Sequence, residues 1–329
     1  MGIRRIPFCT VMLTMAFGTA SLVHAHGMAG KRFFPATLVV DDPFVADELS
    51  LPTVSHFKNP ADGDNPATRE TDISAEFSKR LSPNLGVSVN GTYKLLLPDG
   101  GSVTKGFDNM GLGVKYVLLR SDPHEFLFSI GTDIDLGGTG TRRVGPEGFT
   151  TYTPTLFYGK GFGDLPESLE WFQPLAITGT FGGTIPSRSS NKSFNIDADA
   201  GTFSVDRDPN PHVMQWGFTV QYNLQYLQSY VRDIGLPAPF NRMIPLVEMA
   251  FQTPLDGPVS GKTTGSVYPG VIWFGRYIQL GLEAIVPINK ASGKIVGVIG
   301  QIHFYLDDIA PNIFTWTPFH GVLGPTQPQ

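Results

Sequence analysis

The sequence predicts an all-β protein, a transmembrane antiparallel up-and-down β-barrel of about twelve strands with a polar lumen. Three observations predict it. Segments with strict alternation of apolar and polar residues recur along the chain. Those segments are about 9 to 13 residues long, as a tilted membrane strand requires and a soluble strand of about 5 to 6 does not. The chain opens with the pattern of an export signal.

The export signal covers residues 1–25. Arg4 and Arg5 form a positive start, an apolar run follows from Ile6 to Phe17, and Val23-His24-Ala25 leads to a plausible cleavage point. That run is too short for a spanning helix of about 20 residues, so cleavage near Ala25 is expected. Cys9 is the only cysteine and lies in this segment, so the remaining chain has no disulfide and no thiolate ligand. Without Arg4 and Arg5 the chain keeps 22 basic and 29 acidic residues, a net charge of −7. An acidic chain without basic clusters argues against a nucleic-acid partner and leaves membrane lipid and a small-molecule solute. Oligomeric state is not legible in the composition.

Alternation is the primary evidence, because successive side chains on a strand point to opposite faces. Ile73, Ala75 and Phe77 oppose Asp72, Ser74, Glu76 and Ser78. Val87, Val89, Tyr93 and Leu95 oppose Ser88, Asn90, Thr92 and Lys94. Met214, Trp216, Phe218, Val220 and Tyr222 oppose Gln215, Thr219 and Gln221. Comparable segments start at Met110, Phe126, Tyr152, Leu175 and Ile278. Three more are less regular: Met243 to Phe251, Val267 to Phe274 (apolar on both faces) and Lys294 to Leu306. The polar face is mostly Ser, Thr, Asn and Gln, which suits a wet or hydrogen-bonded lumen and not a dry core.

Eleven such segments follow Thr71, so an even barrel needs one more strand. Connections are tight at residues 82–84, 121–123 and 275–276, and long at 137–149 and 186–211. Short turns belong at the periplasmic end and long loops outside, which makes the segment from Thr71 a descending strand. Arg32 to Val40 is the candidate for the missing first strand. The alternative is that residues 26–69 form a plug or periplasmic part, with the barrel proper at 70–306. Residues 307–329 form a tail after the last strand.

At this point a resemblance can be named. Lys79-Arg80-Leu81-Ser82-Pro83-Asn84, the run from Asn109 to Tyr116, and the run from Tyr152 to Gly161 resemble outer-membrane transporters grouped with the phenol-degradation meta-pathway proteins. The resemblance covers residues 70 to 306. It implies an outer-membrane channel or facilitator for small, hydrophobic or aromatic, solutes, and it supplies no catalytic residues.

By parity, Asp72, Glu76, Arg80, Lys94, Lys115, Glu125, Asp133, Asp135, Glu248 and Glu283 face inward. They either line a pore and tune its selectivity or pair with each other and brace the lumen. No cofactor is required. One alternative is an envelope copper-binding protein. Cleavage after Ala25 would leave His26 at the amino terminus, whose amine and imidazole chelate Cu(II), with Met28 suited to Cu(I). A further alternative is a barrel enzyme acting on lipid. His124, His212 and His303 are the strand-associated histidines, and no Gly-x-Ser-x-Gly accompanies them, so a non-enzymatic protein is expected.

Overall fold

Twelve antiparallel strands close into a barrel in the computed structural model, which describes residues 27–319 apart from 62, 64 and 198–201. The strands are β1 (Glu48–Asn59), β2 (Thr68–Arg80), β3 (Leu85–Pro98), β4 (Met110–Ser121), β5 (Phe126–Leu136) and β6 (Thr151–Gly161). They continue with β7 (Leu175–Pro186), β8 (Val213–Tyr222), β9 (Met243–Pro254), β10 (Thr264–Phe274), β11 (Ile278–Pro287) and β12 (Gly297–Tyr305). Each pairs with the next, and β12 returns to β1, with Gly300 opposite Val54 and Phe304 opposite Leu49. Closure matters because a free strand edge in lipid would leave backbone groups without partners.

The alternation sets the two surfaces. On β11, Leu280 and Leu282 point outward and are 42% and 58% exposed, while the flanking Gln279 and Glu283 are buried. Ile73 on β2, Val114 on β4, Leu156 on β6 and Val298 on β12 are likewise outward and exposed. An apolar surface running round the whole barrel is costly in water and fits lipid. No helix of the described residues is long and apolar enough to cross a membrane; the crossing elements are strands.

The barrel has a turn end and a loop end. Residues 81–84, 122–125 and 275–277 make tight turns at the first. Two connections there are longer, 162–174 and 223–242, and each contains helical turns, at Glu167–Phe172 and Leu224–Val231. The loop end carries a short strand at Thr104–Phe107 that adds to β3, and a hairpin of Ser190–Asp197 with Thr202–Pro209.

The first strand is not where the sequence placed it. Arg32 to Val40 forms no barrel strand; the missing strand is β1, so the barrel begins at Glu48, ahead of residue 70. The reason is local: β1 alternates poorly, because its register shifts between Ser50 and Thr53 and breaks the period. The tail after β12 forms two short helices, Leu306–Ile309 and Pro311–Phe314, at the turn end. Lys79 Nζ donates to the carbonyls of Phe314 and Trp316, and the Phe314 ring packs 6.4 Å from that of Phe77 on the outward face of β2.

Candidate functional site

The lumen is occupied from the turn end by residues 27–47. The segment begins as a two-stranded hairpin, Met28–Ala29 with Arg32–Phe33. It rises to the middle of the barrel at residues 36–43 and returns to the turn end at Asp47, where β1 starts. Leu38 lies against Gly281 of β11, and Val45 against Gly86 of β3; a methyl group at Gly281 would overlap Leu38, and one at Gly86 would crowd Val45. Glycine at these inward positions is therefore a notch for the segment.

Arg32 anchors the segment. Its guanidinium is fully buried, 3.1 Å from the Glu125 carboxylate, and donates to the carbonyls of Pro174 (2.8 Å) and Gln173. It also stacks 3.8 Å from the centroid of the Tyr226 ring. The turn after β4, the connection 162–174 and the connection 223–242 all converge on this one cation. That gives the two long turn-end connections a reason to exist. A second clasp forms at Asp47, also fully buried, which accepts from Lys79 Nζ (2.6 Å) and the Arg80 backbone N–H (3.1 Å). Its carbonyl accepts from the Leu306 N–H, so the clasp joins segment, wall and tail.

Between these anchors the segment packs against an apolar wall. Ile244, Leu246 and Ile272 of β9 and β10 form a buried cluster with Phe33, Leu38 and Phe274. Leu127, Val117 and Ala176 form another with Ala29 and Phe34, joined by Phe44 and Val45. Backbone groups of the segment are met by wall side chains: Ser129 donates to the Pro43 carbonyl (2.5 Å) and Gln279 to that of Ala36 (2.5 Å). Glu248 accepts from the N–H groups of Leu38 (2.7 Å), Val39 (3.3 Å) and Val40 (2.6 Å).

On the opposite side a cavity of about 490 Å³ remains between the segment and the wall formed by β12 and β1 to β5. Its wall is polar: Ser55, Ser74, Ser88, Asn90 and Thr92 alternate with Asp72, Glu76 and Asp133. The segment contributes Asp41 and Asp42 and an apolar floor of Leu38, Phe44 and Val45, with Phe157 beside it. Lys115 is the basic residue of the lining. Its ammonium binds Asp41 (2.7 Å) and the Asp42 carbonyl (2.7 Å) and lies 4.6 Å from the Phe157 ring centroid.

The residues singled out by parity thus separate into groups. Asp72, Glu76, Lys115 and Asp133 line the cavity. Lys94 lies nearer the loop end and pairs with Asp108 (2.8 Å) and Glu70 (3.3 Å); Asp135 accepts from Thr151 there (3.1 Å). Arg80 bridges Asp47 (3.4 Å) and Asp307 (3.5 Å) at the turn-end rim. Glu248 and Glu283 lie beneath the segment, 0% and 2% exposed. Glu125 corrects its assignment. It is in the turn before β5, with a positive φ of 46°, and its buried carboxylate holds Arg32 and the Gly163 N–H (3.1 Å) away from this cavity's lining. Parity cannot be extended through a turn, where the backbone no longer alternates.

Sequence reasoning missed Arg32, Asp47 and the segment's backbone N–H groups. The available signals were the inward glycines and the apolar inner face of Val267 to Phe274.

His26 lies outside the described residues. Met28 sits in the hairpin at the turn end, opposite Phe33. No cluster of three or more His, Cys, Asp or Glu able to hold a metal occurs among the described residues. Of the three histidines, His124 and His212 pair with Asp164 (3.2 Å) and Asp256 (2.7 Å) outside the strands. His303 faces inward, with Nδ1 2.9 Å from Ser50 Oγ and Nε2 3.5 Å from Glu48. A serine, a histidine and a carboxylate in a row invite comparison with a nucleophile relay. The carboxylate stands too far from the ring to orient it by a good hydrogen bond, and the chain's evident effect is to tie β1 to β12.

No family model matches the chain. Among solved structures the backbone is similar to an outer-membrane channel of Pseudomonas putida F1. The identity is 10%, covering 79% of this chain and 96% of that one, with a TM-score of 0.50. At that identity the likeness is one of fold. Weaker likenesses are to the toluene transporter TbuX of Ralstonia pickettii (11% identity, 83% of this chain and 93% of that one, TM-score 0.38) and to the NanC porin (11%, 77% and 97%, TM-score 0.41).

Proposed function

We propose that this barrel is an outer-membrane channel or facilitator for small solutes, held closed by residues 27–47. The observation that carries the reading is the side-by-side arrangement of a polar cavity and a separable occluding segment inside one closed barrel. A purely structural barrel has no use for a cavity of about 490 Å³ in its middle. The fold it shares with the Pseudomonas putida channel supports the same reading.

The lining supports a solute class. A wall of hydroxyls, amides and carboxylates faces an apolar floor, and acidic groups outnumber the basic Lys115. That combination suits a small molecule with an apolar or aromatic body and a polar, preferably cationic, head. It accommodates the aromatic solutes that the resemblance to phenol-degradation transporters implies, provided they carry such a head. By the loop-length rule the turn end, with both termini of the barrel domain, faces the periplasm.

Swelling of liposomes carrying the purified protein tests this. Solute uptake is expected to be slow with the whole chain and fast once residues 27–46 are deleted. A folded barrel that admits no solute in either form overturns the reading.

A further inference from the structure

Glu248 and Glu283 are carboxyl groups on the inner wall with no basic partner. They flank β10, where the register sets Tyr268 opposite Glu248 and Gly270 opposite Glu283. Gly270 leaves the space that the Glu283 side chain crosses; a Cβ there would overlap it. The Glu283 side chain thus lies over Gly270, two residues along the same inner face from Tyr268, which pairs with Glu248. Neither Glu283 oxygen meets a hydrogen-bond donor, and both are shielded from solvent. A buried carboxyl without a donor or a basic partner is held in its protonated form, because its charge would go uncompensated in a dry wall. Glu248 is the acceptor for the N–H groups of Leu38, Val39 and Val40, with Thr219 Oγ1 3.5 Å away. The titratable or charged groups at the pair are the two carboxyls and the Tyr268 hydroxyl.

From this geometry we propose that the Glu248–Glu283 pair is a proton-dependent latch for the occluding segment. It rests on the reading of residues 27–47 as the closure of a channel. With Glu283 protonated, the carboxylate of Glu248 grips three consecutive N–H groups at the apex. The proton resides on Glu283, the carboxyl that no donor meets. Loss of that proton to lumen water puts two negative charges in contact within a dry wall, and like charges so placed repel strongly. The pair separates, Glu248 leaves the apex, and residues 36–43 withdraw. The latch is closed at neutral pH and opens as pH rises.

The test reads the position of the segment directly. Val40→Cys, in a Cys9→Ser background, buries the thiol beside the pair, since Val40 is 2% exposed. Its rate of reaction with a neutral maleimide is divided by that of Val259→Cys on the exposed loop 255–263. The division removes the thiol's own pH dependence. In the native wall the normalised rate is expected to be low at about pH 6 and to rise about tenfold or more by about pH 10. Glu283→Gln keeps a neutral donor and is expected to stay slow throughout. Glu248→Gln loses the charged acceptor and is expected to react about tenfold faster than native already at about pH 6. A native rate that does not change with pH overturns the latch, as does a Glu283→Gln rate that follows the native profile. A Glu248→Gln rate equal to native does the same. If Glu248→Gln yields no heat-modifiable barrel, native against Glu283→Gln decides. Labelling needs no transport. pH-dependent labelling in a barrel that admits no solute would refute the channel and keep the latch; solute uptake with pH-independent labelling would refute the latch alone.

Discussion

The two halves of the lumen wall differ in kind. From β8 to β11 the inner face is packed, with Ile244, Leu246 and Ile272 buried against Phe33 and Leu38. On β12 and from β1 to β5, beyond Val117 and Leu127 at the turn end, it is open, polar and acidic, with the cavity between it and the segment. The same chain builds both from the same alternating template. The difference teaches that an apolar inner face on a barrel strand marks a protein surface on the inside. Val267 to Phe274 is apolar on both faces because lipid covers one and the segment covers the other.

The largest way to break this contrast is Arg32→Ala. It removes the anchor and leaves Glu125 buried without its partner, at a cost of about 3–5 kcal/mol to docking of the segment. The expected outcome is rapid protease cleavage within residues 27–46 while the barrel remains heat-modifiable on gels. Next comes truncation of the packed wall. Ile272→Ala is expected to destabilise docking by about 2–4 kcal/mol, whereas Ser88→Ala on the cavity wall stays within about 0.5 kcal/mol. Hydrogen exchange of residues 36–43 in the two variants measures both; equal protection would erase the distinction between the walls.

A smaller effect sharpens the cavity side. Glu76→Gln with Asp133→Asn removes two carboxylates from the lining without touching the anchors. Reversal potentials across a salt gradient are expected to move toward anions, with the segment still protected from protease. Unchanged reversal potentials would mean that the acidic wall does not face the permeating path. The smallest effect lies outside the membrane. Hydrogen bonds from His212 hold the Asp256 carboxyl below its usual range. A value depressed by folding means stability that is present above the usual carboxylate value of about 4 and lost as pH falls through the depressed one. Asp256→Asn is therefore expected to speed hydrogen exchange of residues 255–263 slightly at neutral pH. The difference should disappear in strong acid.

Much of the barrel was legible in the chain because lipid enforces strict alternation. Inward and outward residues of β2, β3, β6, β8 and β11 fall where parity puts them, and the even strand count follows once the eleven rhythmic segments are completed to twelve. β1 was not legible, because its register shift interrupts the period. The site was legible only in part. Asp72, Glu76, Lys115 and Asp133 are ordinary lumen charges by pattern, and the cavity they share arises from a segment with no periodicity at all. Residues 27–47 are held by backbone hydrogen bonds to distant side chains and by glycine notches. Such contacts depend on three-dimensional neighbours and leave little trace in local sequence.

One consequence follows from the segment being continuous with β1. Released from Arg32, residues 27–46 remain joined to the wall at Asp47 and behave as a ligand tied to its own receptor. Fully extended, such a stretch reaches about 65–70 Å, more than the roughly 30 Å of a bilayer's hydrocarbon core, so it can leave the lumen entirely. Yet its local concentration at the lumen stays near the millimolar range set by a short tether. Reclosure is then a unimolecular event, indifferent to how many copies the membrane holds, and a free peptide of the same sequence must approach that concentration to compete.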